Sequence, residues 1–250
     1  MPVIEDNALL RRLSPASRQA LEPTLEAKRL DLNRTLFEEG DAVEWVWFPT
    51  SALLSQITSG AGGQTVETSM VGVDGALGLV EALGSGEVAF NAVVQVDGHA
   101  WCAPAGVCRQ LARSDSEFAQ LSWNMAEMEL IESRQSGLCQ AHHGVESRLA
   151  RWLAESVERV GDGRTTLPLT QEFMAAMLGV QRTTVNAFAT QLQKAGLIRY
   201  SRGRMDICDM AGLARRACEC RDVVREHRER LGLSVPGERE RRTEAMSLTG

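Results

Sequence analysis

The stretch that most limits how this chain can fold is Leu169 to Gly203, LTQEFMAAMLGVQRTTVNAFATQLQKAGLIRYSRG. Two short helical patterns meet at Gly179. The first, Thr170 to Leu178, puts Phe173, Met174, Met177 and Leu178 on one face, with Thr170 as its N-cap. The second, Arg182 to Lys194, turns Val185, Phe188, Ala189 and Leu192 inward. A helix-turn-helix needs what this spacing supplies: small Ala175 where the helices approach, Gly179 for the positive φ of the turn, and β-branched Val185 in the angle. Ile198 to Tyr200 and Met205 to Ile207 then flank Arg202-Gly203-Arg204, which predicts a hairpin with a basic tip, a wing.

Charge points the same way. Between Thr165 and Arg204 the bases are Arg182, Lys194, Arg199, Arg202 and Arg204 and the one acid is Glu172, a local +4 in a chain of net −6. A basic island in an acidic protein implies a polyanionic partner for the island alone.

The 250 residues, 44% hydrophobic and 24% charged, suit one large or two medium globular domains. No apolar run approaches the roughly 18 residues of a membrane span, and Met1 to Arg12 has no signal-peptide pattern, so a cytoplasmic protein without a membrane partner is expected. Six cysteines (Cys102, Cys108, Cys139, Cys208, Cys218, Cys220) are too irregularly spaced for a disulfide framework.

Taken in order, the chain opens on a short helix capped by Ser14 with Pro15 in its first turn. Short apolar runs follow at Lys28 to Leu32, Thr35 to Phe37, Trp45 to Phe48, Ala52 to Thr58, Gln64 to Met70, Ala89 to Val96 and Gly98 to Ala103. Strands at this spacing predict an antiparallel sandwich or roll. A helical insert, LGLVEAL, lies between Gly75 and Gly86. After a short helix from Pro104 to Arg113, the pattern is continuously helical from Ser116 to His142. Here Leu121, Asn124, Met128, Ile131, Gln135, Leu138 and His142 recur as a heptad seam, while Phe118, Met125 and Leu130 are left for the sandwich. A helix apolar on two sides has two partners, so it is read as a dimer helix; a seam shifted by one residue, through Ala126, Leu130 and Ser133, fits nearly as well. Gly144 separates it from a helix over Val145 to Val160, Gly161 to Arg164 form a loop, and one helix, capped by Asp209, is expected from Met210 to about Leu231.

The fold class is therefore α+β. It divides into a β-roll over residues 1–115, a dimerisation helix over 116–143, a winged helix-turn-helix over 144–233 and a disordered tail over 234–250.

This order of parts resembles the Crp/Fnr family of bacterial transcription regulators. The marks are Arg148-Leu149-Ala150-Arg151-Trp152-Leu153, Leu169-Thr170-Gln171-Glu172, Leu178-Gly179-Val180, Arg182-Thr183-Thr184-Val185 and Leu192 to Ile198. Gly40-Asp41, Trp47-Phe48-Pro49 and Val71-Gly72-Val73-Asp74-Gly75 match more loosely. The resemblance implies a cyclic-nucleotide-binding-like roll, a homodimer and double-stranded DNA as partner, with RNA polymerase and a small-molecule effector as further candidates. It also implies that Arg182 reads a guanine in the major groove, where a bidentate contact is worth about 1 to 3 kcal/mol. Thr170 and Gln171 would meet phosphate at a helix N-terminus, Arg199, Arg202 and Arg204 would do so from the wing, and Gln181, Thr183, Thr184 and Asn186 fall on the same reading face. The acid that often follows the reading arginine is Thr183 here and the second base-reading arginine is Ala187, so the half-site should differ from the family's best-known operator.

The roll departs further. Members that bind cyclic AMP carry, as the resemblance implies, a Gly-Glu-Leu and an Arg-Ser or Arg-Ala pair; here stand Gly75-Ala76-Leu77 and Glu87-Val88-Ala89. Without the guanidinium an anion loses its charge-assisted bond pair, so the usual mode of cyclic nucleotide binding is not expected. No cysteine precedes Cys102 to hold an iron–sulfur cluster, and His99, the one N-terminal histidine, reads as structural rather than a haem ligand.

Cys218-Glu219-Cys220 with His227, and Cys139 with His142 and His143, each fall short of four ligands at an established spacing, so no metal or cofactor is expected. There is no nucleophile elbow, phosphate-binding glycine loop or His-Glu-x-x-His, so an enzyme is not expected either. The competing class is an effector- or partner-binding module whose helix-turn-helix serves protein contacts.

Overall fold

The structure, a computed structural model, describes residues 2–235. Asn7 caps a first helix, α1 (Ala8–Arg11), its Oδ1 accepting from the amides of Leu9 and Leu10. Ser14 caps α2 (Pro15–Leu21) as the sequence predicts. Five strands follow: β1 (Glu26–Leu30), β2 (Thr35–Phe37), β3 (Trp45–Pro49), β4 (Leu53–Ser59) and β5 (Thr65–Val71). Then come α3 (Leu79–Leu83), β6 (Asn91–Val96), β7 (Gly98–Pro104) and α4 (Ala105–Ser114). The strands form two antiparallel sheets, β1-β7-β3 and β2-β6-β4-β5, whose facing sides share one core with Leu30, Phe48, Leu54, Val71 and Val94.

The middle of the second sheet is covered on both sides. Leu54 and Val71 point into the roll, while their neighbours Leu53 and Met70 belong to a second core built by the C-terminal domain. A polar chain links the layers: Ser55 Oγ donates to Gln95 Oε1 (2.7 Å), and Gln95 Nε2 donates to Ser156 Oγ (3.1 Å).

The long helix α5 spans Ser116–His142, N-capped by Asp115. It is followed by α6 (Val145–Val160), β8 (Thr166–Leu167), α7 (Gln171–Leu178), α8 (Arg182–Lys194), β9 (Ile198–Ser201) and β10 (Arg204–Ile207). The expected single C-terminal helix is two, α9 (Met210–Arg216) and α10 (Cys220–Leu231). Asp209 caps α9 through Gly212 N, but Ala217 is extended (ψ 151°), and the break turns Cys218 and Cys220 inward against Cys139. Of the expected tail, Ser234 and Val235 are described, Val235 being buried, and the rest lies outside the described residues.

Helix α10 runs back along α5: Cys220 lies by His143, Arg228 by Glu132, and the Leu231 carbonyl accepts from Asn124 Nδ2 (3.1 Å). The seven seam positions therefore fall differently from the sequence expectation. Leu121 and Met128 lie in the chain's own core, Ile131 packs against it, and Gln135 is half-buried. Leu138 and His142 are exposed. Beside the seam, Trp123 (72%) and Leu130 (49%) stay exposed together with the seam's own Leu138 (48%); from sequence, Leu130 is expected either against the roll or on the shifted seam.

A buried charge quartet fastens these layers. Glu132 on α5 accepts from Arg159 (2.6 Å) and Arg228 (2.6 Å), and Asp74, after β5, pairs with the same arginines at 3.5 and 2.9 Å. Ser69 Oγ adds a bond to Glu132 (2.8 Å) and Arg159 donates to the Met70 carbonyl. Burial alone would raise the Glu132 pKa, but the two guanidiniums overcome it and hold the carboxyl at about 2. Gly72 makes the approach possible, since a Cβ there would collide with the Arg159 carbonyl oxygen. Nearby, Trp152 Nε1 donates to Glu67 Oε1 (2.6 Å) across the same interface, where burial pushes Glu67 up to about 7.

Candidate nucleic-acid interface

The turn between α7 and α8 is built as its residues dictate. Thr170 Oγ1 accepts from Phe173 N (3.0 Å), and Gly179 ends α7 in the left-handed region (φ 63°, ψ 38°). Val180 N returns to the Ala175 carbonyl (3.0 Å), while Arg148 on α6 donates to the Leu178 carbonyl, so a cation covers the negative end of α7. Ala175, Val185, Ala189 and Leu192 are all buried, which fixes α8 against α7 and α6. The opposite face of α8 is left to solvent: Gln181, Arg182, Thr183, Asn186 and Ala187 are exposed and Thr184 is half-buried.

Three side chains tie the two helix N-termini into one surface. Gln171 Nε2 donates to Asn186 Oδ1 (2.8 Å), and Arg182 Nε donates to Gln171 Oε1 (3.3 Å). Arg182 also pairs with Glu172 (3.0 Å), both side chains 65% exposed. From sequence, Glu172 is only the local acid; in the fold it is the group that holds Arg182 when no other anion is present. A pair this exposed is worth at most about 1 kcal/mol, so phosphate or a base edge can replace it.

The wing is the three-stranded sheet β8-β10-β9, one strand more than the sequence suggested, because Thr166 and Leu167 pair with Asp206 and Met205. Ser201 and Arg204 face each other across a two-residue turn in which Arg202 (φ 48°) and Gly203 (φ 76°) both take positive φ. A Cβ on Gly203 would lie 3.8 Å from Thr170 Cγ2, so the wing tip abuts the N-terminus of α7. Arg199, Arg202 and Arg204 are exposed. Gln171, Arg182 and Asn186 are thus joined by hydrogen bonds, the wing tip lies beside Thr170, and Gln181, Thr183 and the three wing arginines are exposed, with Thr184 half-buried.

The roll is arranged differently. Ala76, Leu77, Val88 and Phe90, in the region where the resemblance would place a cyclic nucleotide, are buried members of the roll core. The cysteine and histidine candidates regroup: Cys139, His143, Cys218 and Cys220 meet at one point, His142 is exposed, and His227 lies apart, next to Arg230.

Comparison with known proteins agrees with this geometry. Residues 147–216 match the model of the Crp-like helix-turn-helix domain. No curated protein matches the chain in sequence. Among solved structures, a transcriptional regulator assigned to the Crp/Fnr family from Eubacterium rectale is 17% identical, covering 85% of this chain and 98% of that one at a TM-score of 0.65. FixK2 from Bradyrhizobium japonicum is 16% identical (78% and 98% covered, TM-score 0.64). A CRP-family transcriptional regulator from Thermus thermophilus, TTHB099, is 17% identical (76% and 96% covered, TM-score 0.63). Residues 147–216 thus match a Crp-like helix-turn-helix domain, and the chain shares its fold with these solved Crp/Fnr-type structures.

Proposed function

We propose that the chain is a homodimeric, sequence-specific DNA-binding transcription regulator that acts in the cytoplasm. The observation that carries this reading is the exposed N-terminal face of α8, with Arg182 at its start and the basic wing beside it. On DNA, Arg182 exchanges Glu172 for a base edge, Thr170 and Gln171 meet phosphate, and Arg199, Arg202 and Arg204 bind the backbone. The open line Trp123, Leu130 and Leu138 on α5 supports pairing with a second copy. The filled interior around Ala76 and Val88 supports a trigger other than cyclic nucleotide in the usual mode.

Selection of bound DNA from a random pool, followed by titration of the enriched site, tests the reading. A pseudo-palindrome with half-sites about 34 Å apart is expected. Arg182→Ala should cost about 1 to 3 kcal/mol and relax preference at one base pair, whereas Arg202→Ala should weaken all sequences alike and lower the salt slope by about one. Binding that shows no sequence preference and no salt dependence would favour the protein-contact module instead.

A further inference from the structure

The group formed by Cys139, His143, Cys218 and Cys220 is not used by the DNA-binding surface. Its four ligand atoms all lie within 4.8 Å of one another. Cys139 Sγ and Cys218 Sγ are 3.5 Å apart, and Cys220 Sγ is 3.3 Å from His143 Nδ1. Tetrahedral Zn2+ with bonds of about 2.3 Å to sulfur and about 2.0 Å to nitrogen needs edges of about 3.8 Å between sulfurs and about 3.5 Å from sulfur to nitrogen. The group therefore needs shifts of only a few tenths of an ångström along these two edges. Such a compact set suits one ion rather than a multi-iron cluster, whose ligands stand further apart.

Three further features fit a metal. Cys139, Cys218 and Cys220 form a buried cluster of their own, closed to solvent as a structural site is and a catalytic one is not. His143 presents Nδ1 to the sulfurs while its Nε2 lies 3.0 Å from Glu219 Oε1. A carboxylate on the far nitrogen is the usual partner of a ligating imidazole, fixing its tautomer and orientation. Arg151 on α6, paired with Glu155, interacts electrostatically with all three sulfurs, so a cation stands beside the thiols.

We propose that Cys139, His143 through Nδ1, Cys218 and Cys220 form a structural Zn2+ site that fastens the start of α10 to the end of α5. On loading, each thiol still protonated gives its proton to solvent, and four ligand–metal bonds form without any redox change. Cys139 and His143 come from the end of the long helix and Cys218 and Cys220 from beyond the DNA-binding motif, so the ion bridges the Gly144 junction between them.

The test uses the full chain, stripped with chelator under reducing, air-free conditions and titrated with Co2+ and then Zn2+. One Co2+ per chain is expected, with the visible absorption of a four-coordinate ion and a thiolate charge-transfer band, both lost when Zn2+ displaces it. Cys218→Ser and His143→Gln should each weaken binding about a hundredfold or more, and Glu219→Gln about tenfold to a hundredfold. Cys208→Ser, at an exposed thiol outside the group, should leave it unchanged. If Cys218→Ser proves misfolded by circular dichroism, His143→Gln decides. The proposal is overturned by absence of stoichiometric binding, by a six-coordinate spectrum without thiolate character, by unchanged affinity in the folded variant, or by mass spectrometry showing a Cys139–Cys218 disulfide in place of metal. None of these outcomes depends on DNA binding.

Discussion

Glu132→Gln isolates the charge quartet with the smallest possible change in shape. The wild-type carboxylate receives Arg159 at 2.6 Å, Arg228 at 2.6 Å and Ser69 at 2.8 Å, and is buried. The amide keeps the volume and one acceptor, but it leaves two buried guanidiniums with Asp74 alone. Breaking a buried pair from one side costs about 3 to 5 kcal/mol, because the surviving charge is stranded. The pKa gives a second route to the magnitude: a carboxyl held at about 2 instead of 4.5 corresponds to about 3.4 kcal/mol at 1.36 kcal/mol per unit. The folded pKa is depressed, so this stability is present above pH 4.5 and drains away as pH falls towards 2. Urea unfolding of both proteins should show a gap of about 3 to 5 kcal/mol at pH 7 that narrows below about pH 4.5. A gap below about 1 kcal/mol at pH 7, or one that stays constant down to about pH 3, would refute the assignment.

Two further outcomes follow from the packing. Glu67, pushed up to about 7 by burial beside Trp152, has the opposite sign: its stabilising, protonated form is lost as pH rises from 4.5 through 7. Glu67→Gln keeps an acceptor for the indole, so thermal melts should show it more stable than wild type at about pH 8, by up to about 3 kcal/mol, with the difference vanishing near pH 5; parallel pH profiles would contradict this. On the open line of α5, Leu130→Asp removes an apolar side chain from both copies of a symmetric contact, a loss of at least about 3 kcal/mol or about a hundredfold in the dimer constant. Sedimentation should then give a monomer where wild type is dimeric, and an unchanged mass would exclude this face.

The helix-turn-helix was legible because its signals are local: a threonine cap, a glycine at the left-handed turn and apolar residues at helical spacing lie within one stretch. The wing turn was legible for the same reason, while its third strand was not, since Thr166-Leu167 has pairing partners but too little length to show a period. The length of α5 could be read from continuity, its partner could not. Periodicity says that a face is apolar, not which surface covers it, and α10 reaches only part of the seam assigned to a second subunit, at Asn124, while Leu138 and His142 stay exposed. The quartet and the cysteine group escaped for a topological reason. Asp74, Glu132, Arg159 and Arg228 lie far apart in sequence, and two half-sets of ligands read separately each looked incomplete.

The return of α10 along α5 also bears on the order in which the protein is made. Synthesis proceeds from the N-terminus and domains fold largely as they emerge. The roll and α5 therefore emerge before the residues that cover them, and before Val224 and Leu233, which belong to the roll core itself. Until Arg228 appears, Glu132 and Asp74 share one arginine between them, and until Leu231 appears Asn124 lacks its carbonyl partner. The nascent chain thus has a second uncovered face on α5 besides the line through Trp123, Leu130 and Leu138. A second nascent copy could engage the wrong one, and the emergence of α10 is the event that closes it and leaves Trp123, Leu130 and Leu138 as the exposed apolar line.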